Sequence, residues 1–400
     1  MRAPIRYVII CLFLAFFSAR AGSYFASQYN GMGIRQYSTT VRGVGMGMTG
    51  IAALDSLSLA NYGISQWRYI QATRISVGVF YQRINLAPQG EQLTSTVAGL
   101  SGINIAIPLS QRRWVMGINL QPYSRIDFKA TETITSNGQT FTQNSLSTGN
   151  IAKAQLNLAW SPSAAFGFSV NGNFYFGSIE DQYEFDFPDN NFNDISHALK
   201  YTITGPGIGF SADYRPLDWL TLAGFVDLKS FPLKVKTAYD SQIALADTVQ
   251  KRNLETFPLQ FGVGSALRLG SRWNLALDYA YQKWSATLQE PAPNYEDWFH
   301  FGIGFERELL MKYNAGFFDR MDYRAGFSAT RLGYKFNQES AMEYGIHLGL
   351  GIPFGDYRNR LDFAISGGLR GSESTNLAEE KFVNFRVEVN IGERWFQSGR

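Results

Sequence analysis

"FVNFRVEVNIGERWF", residues 382–396, alternates from its first residue without a slip. Val383, Phe385, Val387, Val389 and Ile391 form one face, and Asn384, Arg386, Glu388 and Asn390 form the other. A period of two is the signature of a β-strand with one apolar and one polar face. In a soluble sheet the apolar face would look into a core and the charges at water. In a membrane barrel the apolar face looks at lipid and the charges look into the lumen. The rest of the chain decides between these.

The amino-terminal stretch "MRAPIRYVIICLFLAFFSARAGS" has Arg2 and Arg6, an apolar run from Tyr7 to Phe17, and then Ala19-Arg20-Ala21. This is the pattern of a secretory signal peptide, expected over residues 1–21, and the run is too short to span a bilayer. The single cysteine, Cys11, lies inside it. The exported chain would therefore have neither a disulfide framework nor a cysteine-based metal or redox site. Charged residues make up 17% of the chain and aromatics 15%, with 39 glycines. That charge content is below the roughly 25% usual for soluble domains. No second apolar stretch is long enough for a membrane helix. A formal charge of +3 without a basic cluster gives nucleic acid no electrostatic footing.

The same alternation recurs along the chain. "MEYGIHLGLGIPF" sets Met342, Tyr344, Ile346, Leu348, Leu350 and Ile352 against Glu343, Gly345, His347, Gly349 and Gly351. "RWNLALDYAYQKW" and "NIAKAQLNLAW" behave alike. Counting such segments gives about 14 strands, and their polar faces are rich in Gly, Ala, Ser and Asn, as suits a crowded lumen. Trp114, Trp160, Trp219, Trp273 and Trp298 stand near strand ends, like interfacial girdles. Short turns at "SQRR", "SPSA", "RPLD", "GSR" and "GDYRN" alternate with longer polar connections at 129–147, 184–196, 236–252, 289–296, 334–341 and 371–380. The exception is "ELLMKYNAGFFDR", 308–320, which is long for the short-turn end. The expected fold is all-β: a transmembrane antiparallel β-barrel over residues 72–400, with an N-terminal plug segment over 22–71. Its expected place is the outer membrane of a Gram-negative bacterium, in contact with outer-membrane lipid.

Residues 22–71 contain Gly43, Gly45, Gly47 and Gly50. The spacing Gly45-x-Gly47-x-x-Gly50 formally matches a dinucleotide fingerprint, but that motif needs a preceding strand and a βαβ unit. The glycines read as sites of tight backbone packing. A Gly-rich segment, an acidic "ALDSLSLAN" turn and then a barrel resemble the FadL-type long-chain fatty-acid transporters of the outer membrane. Arg42, Gly43, Gly45, Gly47, Gly50, Ala53, Asp55 and Asn61 match that family's segment, while Tyr62-Gly63 stands where it has Pro-Ala. "LALDYAYQKWS", "IPLSQRRWVMGINLQPYSRIDF" and "ERELL…DYRAGFS" resemble its strands, with Asp278, Tyr281, Trp284, Pro122, Arg324 and Gly326 in place.

The resemblance implies a plugged barrel that takes up hydrophobic, fatty-acid-like small molecules and releases them sideways through its wall. On that reading Tyr24, Phe25, Tyr29 and Met32 contact substrate in the plug, and Gly117 with Pro122 interrupts the third strand to open the wall; the plain alternative is that Pro122 marks the outer end of a short strand, where one lost hydrogen bond costs little. The alternative within the superfamily is a barrel that binds the proteins of a type IX-like secretion system. Neither reading calls for a cofactor. The three histidines, His197, His300 and His347, are far apart, and no catalytic spacing supports an enzyme. The acidic run "EDQYEFDFPDNNFND" offers oxygen ligands but no EF-hand loop, so it reads as a solvated external loop with no metal.

Overall fold

The computed structural model describes residues 23–393, apart from 27–32, 38–39, 54, 88–92, 111–112, 137–138, 189–192, 242–248, 255, 287–294, 311–315 and 356–357. The expected signal peptide, Tyr29, Met32 and Phe396 lie outside the described residues. A two-residue strand, β1 (Ile34–Arg35), precedes β2 (Thr73–Ala87), β3 (Leu93–Ser110), β4 (Trp114–Ser136), β5 (Gln139–Trp160), β6 (Phe166–Asp186) and β7 (Ile195–Leu217). Then come β8 (Leu220–Asp227), β9 (Leu233–Ser241), β10 (Val249–Leu254), β11 (Gln260–Leu269), β12 (Trp273–Gln282) and β13 (Trp298–Arg307). The chain ends on β14 (Asp322–Phe336), β15 (Glu339–Phe354), β16 (Asn359–Ser372) and β17 (Ala378–Glu393).

Every pairing is antiparallel, and β17 pairs with both β16 and β2, so the sheet closes on itself. β8 and β9 are two halves of one wall strand, since both pair with β7; β10 and β11 are likewise two halves of the next. With each interrupted pair counted once and β1 set aside, the wall is a closed barrel of 14 strands. The interruptions carry Pro232 and Pro258, residues that cannot donate to a ladder. Closure matters because no water is available in hydrocarbon to satisfy an open sheet edge.

The facing read from the terminal strand is the one observed. Val383, Phe385 and Ile391 are exposed on the outside of the wall, and Asn384, Glu388 and Asn390 are buried on its inner side. An outward belt of large apolar side chains continues around the barrel, including Ile118, Leu156, Val263 and Ile346. At the short-turn end the belt becomes aromatic, with Trp114 stacked on Trp160 at 5.6 Å and Trp273 on Phe305 at 4.8 Å. Trp298 departs from the expected girdle: it has no exposed surface and packs inside the lumen.

The connections expected as long loops are largely strand. β4 and β5 extend to Ser136 and from Gln139, replacing the loop at 129–147. β9 and β10 form a hairpin within 236–252. The first part of the acidic run, Glu180–Asp186, belongs to β6. β14 and β15 meet in a two-residue turn whose Asn337 and Gln338 both have positive φ, the geometry that matches strand twist. These extensions carry polar residues on both faces, so the apolar alternation that marks a membrane strand is missing from them.

An arginine in place of Phe385 would put a charge on the outer face near mid-wall, at a cost of roughly 2–4 kcal/mol. Phe385→Arg should lower the denaturant midpoint of the barrel refolded in lipid, and Phe385→Leu should leave it nearly unchanged.

Candidate functional site

The N-terminal segment lies in the lumen, and its seat is made of glycine. Val41–Gly45 forms a short helix capped by Thr40, whose hydroxyl accepts from the Gly43 N–H at 3.1 Å. The chain then runs along the inner faces of β13, β14 and β15 with backbone against backbone. A Cβ at Gly47 would overlap the carbonyl oxygens of Ile303 and Phe327, and its φ of +69° suits only glycine well. On the wall side, a Cβ at Gly304 would strike the Met46 carbonyl, and one at Gly326 the Gly47 nitrogen. Gly45 lies against Gly349 in the same way. Gly50 has open space around its α-carbon; its N–H and that of Ile51 donate to Asp278 at 2.6 and 2.8 Å.

Charge fixes what the glycines admit. Arg42 makes a two-pronged pair with Glu306 on β13, at 2.9 and 2.5 Å. Glu306 also accepts from Arg324 at 2.8 Å, and Arg324 reaches Asp322 at 3.0 Å and Asp362 at 2.6 Å. Arg360 joins Asp362 at 2.8 Å to Asp55 of the N-terminal segment at 2.5 Å. Three guanidiniums and four carboxylates thus form one buried network across segment and wall. Burial pushes the Asp55 carboxyl up, but Arg360 and Arg42 outweigh it and hold it well below the usual carboxylate range. The Glu388 carboxylate accepts the Val41 N–H at 3.1 Å.

Aromatic packing fills the remaining lumen. Tyr37 stacks on Tyr62 at 4.8 Å and on His300 at 4.3 Å, and Tyr62 stacks on Phe225 at 4.6 Å. Arg35 lies 3.8 Å above the Tyr123 ring and donates to Gln260 and Gln282. The helix Ile64–Tyr69 closes the short-turn end, where Arg68 bonds Asp213 at 2.7 Å and the carbonyls of Ser163 and Ala164. Both inner-wall histidines are satisfied: His300 by Thr330 and Met48, His347 by Ser328 and Ser366. No group of His, Cys, Asp and Glu able to hold a metal occurs among the described residues.

The wall changes partner at Pro122. β3 and β4 pair from Ser110↔Trp114 up to Ile103↔Leu120 and no further. Beyond that point Leu93–Gly102 pair with β2 alone among the described strands. β4 stays paired with β5, bulging at Tyr123, so its free edge is the one that faced β3. The N-terminal segment takes that edge: Ile34 pairs with Arg125, Arg35 with Ser124, and the Gln36 N–H donates to the Tyr123 carbonyl at 2.9 Å. Ser23 does the same for Asp127 at 2.6 Å. A cavity of about 1000 Å³ lies at the separation. Phe80 and Leu100 line one side and Pro122, Leu146, Ala152 and Phe176 another, while Arg125, Asp127, Lys129, Glu180 and Glu184 supply charge.

The sequence-derived residues are distributed differently from the expectation. Pro122 stands next to the last β3–β4 pair and lines the cavity. Gly117 sits within continuous pairing below it, where its missing side chain makes room for the Trp67 ring. Phe25 has no exposed surface; it packs on Phe336 at 4.7 Å and on Tyr24 at 5.4 Å, anchoring the segment against β14. Neither Tyr24 nor Phe25 reaches the cavity at the wall separation. Sequence reading did not single out Phe80, Arg125, Phe176 or Glu306. Arg42 and Asp55 were singled out, as matches to the FadL-type segment.

A closed 14-stranded barrel, filled by its own N-terminal segment and parted at its third strand, defines the class: a barrel of FadL-type fold. The chain belongs to the BamG family, whose pattern matches residues 4–400. The solved structure of a FadL homologue from Pseudomonas aeruginosa is similar at a TM-score of 0.63 and 13% identity, covering 90% of this chain and 99% of that one. The CymD monoaromatic hydrocarbon channel gives 0.61 and 12%, with 90% and 99% covered. The toluene transporter TodX of P. putida gives 0.60 and 14%, with 88% and 98% covered. No curated protein matches the sequence. The expected resemblance to the FadL type is borne out at the level of fold, and the family is BamG.

Gly326→Val would force a side chain into the Gly47 backbone, and overpacking of this kind costs about 1–3 kcal/mol. The segment should loosen, raising planar-bilayer conductance to small ions; Ala325→Val on the outer face should not. The acid response follows from Asp55. A depressed folded value makes its contribution complete above the unfolded value, about pH 4, and lost as pH falls through the folded value. The conductance difference between the native chain and Asp55→Asn, which isolates this carboxylate from Asp278 and Glu388, should stay flat from about pH 8 to pH 5 and shrink only under stronger acid.

Proposed function

We propose that this protein is an outer-membrane channel of a Gram-negative bacterium for hydrophobic small molecules, which leave sideways through the wall between β3 and β4. The observation that carries the reading is the exchange of partners at Pro122. A strand edge parted in hydrocarbon is costly unless its N–H and C=O groups are satisfied by protein or water. Here β4 gives up β3 after Leu120 and takes β1 at Ser124, and of the three residues between them Pro122 has no N–H to satisfy. The separation is therefore a built feature of the wall.

The cavity beside it supports an amphipathic, fatty-acid-like substrate. Phe80, Leu100, Pro122 and Phe176 offer apolar surface for a chain, while Arg125 and Lys129 offer cations for a polar head. Sites of this kind are mostly apolar with a few placed polar groups. Among the described residues, Tyr37, Tyr62, Phe225 and the network around Glu306 pack the lumen below, which favours an exit through the wall over one straight down the barrel. The N-terminal segment acts as the plug, and the substrate's exit is into lipid. The neighbouring structures named for hydrocarbon and toluene passage agree with this class of substrate.

The test uses a reversible bridge. Ser101→Cys and Pro122→Cys face one another if the β3–β4 register is continued, and a short bis-methanethiosulfonate would close the wall. Cellular uptake of radiolabelled oleate and of toluene should fall several-fold on bridging and recover with reductant. Uptake unchanged in a fully bridged sample would overturn the lateral route.

A further inference from the structure

The turn between β13 and β14 is the one connection at the short-turn end whose length the channel reading does not use. Part of it, Phe317–Arg320, is a single helical turn, and it carries Phe317 and Phe318 at 69% and 73% exposure. No other large apolar residue named on the outer wall exceeds Ile346, at 68%. Two adjacent aromatics this bare at a barrel end would be a liability in water.

Their direction is set by charge. The Asp319 carboxylate receives Arg307 and Arg272, the latter at 3.3 Å, and these two hydrogen bonds hold the carboxyl below its ordinary range. Arg307 pairs across strands with Trp273 and Tyr323, and its guanidinium lies 5.6 Å from the Tyr323 ring. Trp273, Phe305 and Arg307 share the outer face of the wall, opposite the inward Glu306. The Leu310 N–H donates to the Asp319 carbonyl at 2.6 Å and the Leu309 N–H to Asp322 at 2.8 Å. Phe317–Arg320 is thus tied to the outer rim through Asp319, while Leu309 at the start of the connection stays beside the inward Asp322. At the same end of the barrel the outer wall is aromatic, with Trp114, Trp160, Phe166, Tyr214, Trp219 and Trp273 exposed, and Trp273 on β12 is the one on a strand beside β13.

We propose that Phe317–Arg320, in the β13–β14 connection, is a membrane anchor, with Phe317 and Phe318 inserted into the lipid leaflet at the short-turn end. The occupant is lipid because the bare aromatic pair is held, through Asp319, by Arg307, the cross-strand neighbour of the outward Trp273, and because Arg307, Arg272 and Asp319 form the polar layer that an interfacial site requires. The anchor would fix the depth and tilt of the barrel, and with them the height of the parted wall in the bilayer. The inference rests on the membrane-barrel reading.

The experiment labels Phe318→Cys, in a chain whose only native cysteine is Cys11 of the signal segment, with an environment-sensitive fluorophore. The full-length barrel is then reconstituted in phosphatidylcholine vesicles. Ile346→Cys at mid-wall and Ser374→Cys in the opposite connection serve as lipid and water controls. A doxyl-lipid quencher should reduce emission at 318 several-fold more than aqueous iodide does, as at 346 and unlike at 374. Quenching by iodide alone, or by neither agent, would overturn the anchor: the first places the pair in water, the second under protein. If 346 also fails to see the lipid quencher, the membrane reading itself falls.

Discussion

The paired guanidinium of Arg42 and carboxylate of Glu306 are the contact on which the arrangement of this barrel rests. Both are buried, and the network extends through Arg324, Asp322, Asp362, Arg360 and Asp55. Desolvating so many charges brings little net stability compared with an apolar core of the same volume. Removing one partner, however, strands the others, at about 3–5 kcal/mol for a buried pair. The network therefore acts mainly on position. It leaves the N-terminal segment one register against the wall, and the glycines of β13, β14 and β15 form the trough that accepts that register.

Once the segment is seated, a second constraint follows. Its upper part must run past the inner face of β4, where Ile34 and Arg35 supply the hydrogen bonds that β3 no longer gives. The same few residues thus occupy the lumen and stabilise the parted wall. On the proposed lateral route, occlusion and access are linked through β1, so a shift of the segment would alter both together. A barrel with an independent plug would not have this linkage.

The two ends of the molecule differ for related physical reasons. At the long-connection end, β4 to β7 and the β9–β10 hairpin rise as sheet with polar residues on both faces. At the other end Trp, Tyr and Phe cluster outward, and Arg68 ties the segment to the floor through Asp213. The interruptions at Pro232 and Pro258 separate the β9–β10 hairpin from the lower wall strands β8 and β11. Phe257, beside the second break, turns inward to pack on Tyr123 and Tyr175 at 4.6 and 4.7 Å.

The alternation in Val383–Ile391 determined the strand, its facing and, repeated along the chain, the barrel and its strand number. This was legible because side-chain period is a local property of backbone geometry, readable wherever one face meets lipid. It failed in the upper parts of β4 and β5 because water on both faces erases the pattern. Pro122 was legible as an interruption, since the missing N–H belongs to the residue itself. What replaced the lost pairing, why Gly117 makes room for Trp67, and why Trp298 turns inward were decided only by tertiary structure. So was the joining of Asp55 to Arg360, residues far apart in sequence, through the fold. Such contacts depend on which strands close beside which, and no periodicity in the chain encodes that distance.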